Sequence, residues 1–271
     1  MEADGLGDLQ ILFSPAEEPS GATLDIVAVH GLGGDAINTW TYKPKIGKPT
    51  TWLKDLLPAK LPNARVMTLQ YDSGVFSKTA HGVRENARKL IQLLRDQRED
   101  DEAEGRPIVF LGHSLGGIII KQALRLAKQD PAFRDISTST KGIVFFGTPH
   151  RGSDKAKWLN VLTAITSTMT NRPESTFVEA LQTNSEALLK ISQDFQSLGK
   201  EYAIVSFYEE HAHRILKSLV VDKLSAVMGL PHEEFMMLGG DHSTMCKFTG
   251  MGDPRFNPVW RAIRRASKGR V

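Results

Sequence analysis

The run IVFLGHSLGGIIIKQALRLA, residues 108–127, sets the tightest limit on how this chain can fold. Ile108, Val109, Phe110 and Leu111 form a continuous apolar run of the β type, whereas Ile118, Ile119, Ala123, Leu124 and Ala127 recur at helical spacing. Between the two, Gly112, Ser114 and Gly116 spell G-x-S-x-G, followed by Gly117. A serine at that point serves neither packing nor an ordinary helix cap. The pattern suits a sharp strand-to-helix turn that presents the Ser114 hydroxyl as a nucleophile, with glycines leaving room for the turn and for a substrate carbonyl.

The same alternation extends along the chain. DIVAVHG from Asp25, RVMTLQY from Arg65, PIVFL from Pro107, GIVFFGT from Gly142, YAIVSFY from Tyr202 and EFMML from Glu234 read as strands, with LQILF from Leu9 as an additional edge strand. TWLKDLL from Thr51 and ENARKLIQLLRDQ from Glu85 read as helices between them. Continuous apolar strands indicate burial on both faces, hence a mostly parallel sheet flanked by helices, an α/β class. About 50 residues separate the fourth of these strands from the fifth, counting from Asp25, too many for a plain crossover. Two amphipathic stripes lie there: Trp158, Val161, Leu162, Ile165 and Met169, then Phe177, Leu181, Leu188, Ile191, Phe195 and Leu198. The expectation is a helical cap over residues 155–198, inserted before the strand that carries the acid. Core helices would show the same stripes.

The 271 residues suffice for one domain with a sizeable core. A net charge of +3 is too small to argue for nucleic acid. Cys246 is the one cysteine, so no intrachain disulfide forms, and a reducing compartment is weakly favoured. The acidic start MEADGLGDLQ lacks the pattern of a secretory signal, and no apolar run reaches the roughly 18 residues of a membrane span. A cytoplasmic location is expected. The acidic run of residues 98–105 reads as a solvated loop. The basic segment 255–271 reads as a helix end or linker, with contact to anionic lipid as the minority reading.

Acyl transfer needs a base, an acid and oxyanion donors besides the nucleophile. The donors expected are the backbone N–H of Leu115, next after the serine, and that of Leu32 in VHGLGG, the loop after an earlier strand. Gly31, Gly33 and Ala36 also fit G-x-G-x-x-A, but Pro44, Gly47 and Pro49 break the helix that dinucleotide binding requires. The base should come late, and His242, after the last strand, is the candidate among eight histidines. His30 and His150 read as loop-shaping, His211 and His213 as solvated. The acid should follow the strand that ends in SFYEEHAH. Glu209 is preferred, with Glu210 and Asp222 left open. Asp241 is poorly placed to orient its neighbour's ring.

VHGLGGDAINTW, FLGHSLGGIIIKQAL, GIVFFGTPHRGS, SFYEE and DHSTMCKF together resemble the lipase-like α/β-hydrolase domain at the N-terminus of fungal NACHT-type (NLR) receptors, and the related GPI inositol-deacylase-like and serine-active-site lipase-like proteins. The resemblance spans most of the chain. It implies a serine esterase or lipase with Ser114, Glu209 and His242 as triad and no metal or organic cofactor. It also implies fusion to, or contact with, a receptor domain in that setting. The expected substrate is a lipid or medium-chain acyl ester, with Trp158, Leu162, Ile165 and Phe177 lining an apolar pocket. Peripheral membrane contact is compatible with such a substrate. The alternative is an inactive hydrolase fold serving as an interaction or signalling module.

Overall fold

A computed structural model describes residues 8–15, 21–72, 80–151, 155–169, 175–213 and 217–270; for residues 80, 81, 155–157, 166, 168, 169 and 175–184 it describes the backbone alone. In chain order the elements begin with β1 (Asp8–Phe13) and β2 (Leu24–Val29). A two-residue ladder of β3 (Thr41–Tyr42) and β4 (Thr50–Thr51) precedes the short helix α1 (Trp52–Asp55). Then come β5 (Ala64–Gln70), α2 (Ala80–Asp100), β6 (Ile108–His113) and α3 (Gly116–Gln129). The chain continues through α4 (Arg134–Ser139), β7 (Thr140–Phe146), α5 (Lys155–Met169), α6 (Ser175–Gly199) and β8 (Ala203–Glu209). It ends with α7 (Lys223–Ala226), β9 (Glu234–Leu238) and α8 (Phe256–Ala266).

Seven strands form one sheet in the order β1-β5-β2-β6-β7-β8-β9. β1 runs antiparallel to β5, and the other pairs are parallel. The apolar runs alternate between two cores. Val27, Val29, Ile108, Phe110, Ile143 and Phe145 face the layer of α2, α3, α5 and α6. Ile26, Ala28, Val109, Leu111, Val144 and Phe146 face α1, α8 and Trp40. The middle of each central strand (residues 26–29, 108–111 and 143–146) is therefore apolar on both sides, because both faces are covered.

Three local expectations change. The acidic run is not simply solvated, because Arg98 is buried and bonds Asp25, Asp135 and the carbonyl of Arg106. The basic segment is largely the amphipathic helix α8. Phe256, Val259, Ala262, Ile263 and Ala266 pack into the core, and its arginines form the solvent side. β9 is an edge strand with Phe235, Met236 and Met237 about half exposed at 49%, 46% and 49%, so its apolar run does not signal burial.

From Ser185 onward α6 packs alongside α3, with Leu188, Ile191 and Phe195 in the core and the buried Lys121 Nζ donating to Ser192 Oγ at 3.0 Å. Trp158, Leu162 and Ile165 of α5 join the same apolar cluster as Leu32 and Leu115. The Phe177 side chain lies outside the described residues. No helix among the described residues is long and apolar enough to cross a membrane.

Candidate active site

The carboxyl ends of β6, β8 and β9 bring three side chains together. Ser114 follows β6 at φ 53°, a left-handed conformation that costs a non-glycine residue on the order of 1 kcal/mol or more. Two bonds hold this turn: Ser114 N–H donates to the Phe146 carbonyl at 2.9 Å, and Thr148 Oγ1 donates to the Ser114 carbonyl at 2.9 Å. Gly116 is required because a Cβ there would run into the backbone oxygens of Val29 and His30. The helix α3 thus starts hard against the end of β2.

The Ser114 hydroxyl lies 2.9 Å from His242 Nε2, and His242 Nδ1 lies 2.6 Å from Glu209 Oε1. All three residues are buried. Both Glu209 oxygens are further engaged, Oε2 by the N–H of Val220 and Oε1 by that of Val221, each at 2.9 Å. These bonds fix the carboxylate in one orientation toward the imidazole. With Nδ1–H donated to Glu209, Nε2 is left to accept from the serine hydroxyl.

The other candidate acids are engaged elsewhere. Asp222 caps α7 by accepting Ser225 N–H at 2.7 Å. Glu210 is 40% exposed and lies 3.9 Å from the more exposed His211. Asp241 accepts the N–H groups of Ser243 and Thr244, forming the turn that carries His242 rather than touching its ring.

Gly31 lies against Ser114, since a Cβ there would stand 2.7 Å from Ser114 Cβ and 3.3 Å from its Oγ. The loop is braced by His30, whose ring stacks on Tyr71 at 4.1 Å and whose carbonyl accepts the Tyr71 hydroxyl at 2.6 Å. Burial pushes the His30 imidazole down to about 4. Among the described residues, the backbone N–H groups of Leu32 and Leu115 have no protein acceptor. Both residues are buried, so their N–H groups would need a partner.

Sequence reasoning passed over His113. Its Nε2 donates to the main-chain carbonyl of His242 at 2.9 Å. Burial, reinforced by the charge of His242, pushes it down to about 3, so it acts as a neutral donor. The clue in the sequence was its place directly before the serine. The peptide groups of Val220 and Val221 left no comparable trace. His150 lies buried with its ring edge-on to Phe145 at 4.6 Å, and His232 bonds the Tyr202 carbonyl. A cavity of about 840 Å³ bordered by Arg95, Phe133 and Asp135 lies at the opposite, amino-terminal ends of β6 and β7, away from this chemistry.

A family model described as "Putative serine esterase (DUF676)" matches residues 23–197, ending before both Glu209 and His242. Among curated proteins, "Protein SERAC1" of Danio rerio is 29% identical over 245 residues, covering 82% of this chain. This chain spans 36% of that protein's length. Among solved structures, the lipase BlEst2 of Bacillus licheniformis superposes with a TM-score of 0.58 at 17% identity, over 93% of this chain and 97% of that one. A carboxylesterase study of Nitrososphaera gargenis provides a second, with a TM-score of 0.51 at 13% identity over 99% and 98%. At such identities the likeness concerns the fold.

Proposed function

The chain belongs to the family described as "Putative serine esterase (DUF676)", and from that premise we propose that it is a serine carboxylic-ester hydrolase working through an acyl-enzyme on Ser114. The observation that carries this reading is the continuous path from Ser114 Oγ through His242 to Glu209, at 2.9 and 2.6 Å.

In the proposed reaction His242 Nε2 takes the hydroxyl proton as Ser114 Oγ attacks the ester carbonyl. The N–H groups of Leu32 and Leu115 receive the oxyanion. Collapse of the tetrahedral intermediate breaks the ester C–O bond, and His242 passes its proton to the leaving alcohol. Water, deprotonated by His242, then releases the acid and restores the serine. Glu209 keeps the imidazole in the required tautomer and stabilises the cation it becomes.

For the acyl half we propose a lipid or medium-chain group against Trp158, Leu162, Ile165 and Phe177. Support comes from the first three, which lie in one apolar cluster with Leu32 and Leu115. Each CH₂ buried there would contribute about 0.8 kcal/mol. Preference should rise with acyl length until the space is filled. Peripheral membrane contact and a cytoplasmic setting are part of this proposal.

The test is hydrolysis of a p-nitrophenyl ester series by the protein and by Ser114→Ala, with fluorophosphonate labelling in parallel. Labelling at Ser114 and loss of activity in the variant are expected. Folded protein that neither labels nor hydrolyses would favour the inactive interaction module of an NLR-type receptor. That alternative, like the narrower resemblance to GPI inositol deacylases, rests on sequence motifs alone.

A further inference from the structure

A second cavity, about 160 Å³, lies beside the candidate site. Leu32, Asn38 and Thr39 wall it on one side, His113, Ser243 and Lys247 on the other. These walls are the oxyanion loop, the residue before the nucleophile and the residue after the base. In acyl transfer the imidazole hands its proton to the departing oxygen, so the alcohol half of an ester must lie on the imidazole side. Ser243 and Lys247, from the segment that follows His242, line this cavity together with the oxyanion loop, and its surface mixes polar and apolar groups.

The polar groups of the cavity differ in how far they are committed. The Asp35 carboxylate is used by its own turn: Oδ1 accepts Ile37 N–H and Asn38 N–H at 2.9 and 2.6 Å, and Oδ2 accepts Asn38 Nδ2 at 2.9 Å. His113 Nε2 is bonded to the His242 carbonyl. Lys247 is half-buried, and its ammonium has no acceptor or carboxylate partner among the described residues. Ser243 Oγ is likewise uncommitted. The Lys247 charge is felt at His113, which ties it to this wall. A cation without a partner in a small recess calls for an anionic ligand.

We infer that this cavity receives the alcohol half of the ester and that Lys247, with the Ser243 hydroxyl, selects substrates whose leaving group carries a negative charge. Lys247 is thus a specificity-determining residue for the proposed reaction. The inference rests on the esterase reading above and adds the chemistry of the leaving group to it.

The experiment compares two butyrate esters with the same acyl group, 4-nitrophenyl butyrate and its carboxylate-bearing analogue 3-butyryloxy-6-nitrobenzoate. The readout is the ratio of kcat/KM for the anionic ester to that for the neutral one, in the wild type and in Lys247→Met, Lys247→Glu and Lys247→Arg. The ratio should fall about tenfold in Lys247→Met, fall further in Lys247→Glu and recover in Lys247→Arg. High salt should compress the difference. An equal loss on both esters would mark Lys247 as structural, and an unchanged ratio would remove it from recognition. Either result overturns the subsite while leaving the esterase intact. Wild-type protein that hydrolyses neither ester and takes no fluorophosphonate overturns the esterase reading instead.

Discussion

His113 Nε2 holds the main-chain carbonyl of His242 at 2.9 Å, so the residue that immediately precedes the proposed nucleophile fixes the backbone of the proposed base. The strand that delivers one reacting group therefore positions the other. An imidazole carried on a loop after an edge strand would otherwise depend on that loop alone.

Removing this tie should disturb alignment more than binding. His113→Ala is expected to lower kcat by about 100-fold, with KM changing much less, because a misplacement near 1 Å costs about that much. It should also lower stability by about 1–3 kcal/mol, by leaving the buried carbonyl without its donor. Steady-state kinetics and urea unfolding check both. Unchanged kcat would show that the loop holds His242 without help.

Two carboxylates close in sequence should respond in opposite ways. Glu209→Gln should fold and lose roughly 10⁴-fold in turnover, because an amide cannot hold the imidazole in the right tautomer. Asp222→Asn, which weakens only the cap of a four-residue helix, should cost no more than about 1 kcal/mol of stability and leave turnover near the wild-type value. Circular dichroism and urea unfolding establish that both variants are folded before their turnover is compared. A damaging Asp222→Asn beside a mild Glu209→Gln would move the acid to the following loop.

Buried neutral histidines set an acid limit on the fold. His30 is lowered to about 4 and His113 to about 3, both chiefly by burial, from an ordinary value of 6.5. Between pH 6.5 and 4 the unfolded chain binds protons at these sites and the folded chain does not. Stability is thus fully present above pH 6.5 and falls with pH, by up to about 1.4 kcal/mol per unit for each histidine. Urea midpoints at pH 7, 6 and 5 should drop progressively, and His30→Gln should flatten the trend. Equal midpoints at pH 7 and 5 would contradict it.

At the far end of the sheet, Asp25 is buried between Arg65 and Arg98, both of them also buried. Asp25→Asn leaves two guanidinium groups short of charge and should destabilise the protein by about 3–5 kcal/mol. Turnover per folded molecule should persist, because Asp25 lies at the amino end of β2 and the chemistry at the carboxyl ends of the strands. Thermal unfolding read alongside activity titrated with a fluorophosphonate separates the two effects.

The central strands were legible because both of their faces are covered, which makes Val27, Phe110 or Val144 apolar without any alternation to decode. Ser114 and His242 were legible as candidates from their places after β6 and β9. The acid was ambiguous, since neighbouring glutamates differ only in the direction their side chains take. That direction was set by β8 continuing through Glu209, which turns Glu209 inward and leaves Glu210 outward. What holds Glu209 consists of backbone groups on a loop, and peptide N–H groups have no signature in a sequence. The basic segment misled in another way. Its arginines dominate the letters, while the spacing of Phe256, Val259, Ile263 and Ala266 decides where the helix goes.

The positive φ of Ser114 sets robustness against chemistry at a single residue. Glycine would adopt that backbone without steric strain, so Ser114→Gly should yield a protein that is at once inert and, where the relieved strain exceeds glycine's entropy cost, harder to unfold. A lineage with no need for the reaction would have a downhill route away from it, one codon long. Under the proposed function, keeping the serine is thus a continuing cost, met only for as long as turnover is under selection.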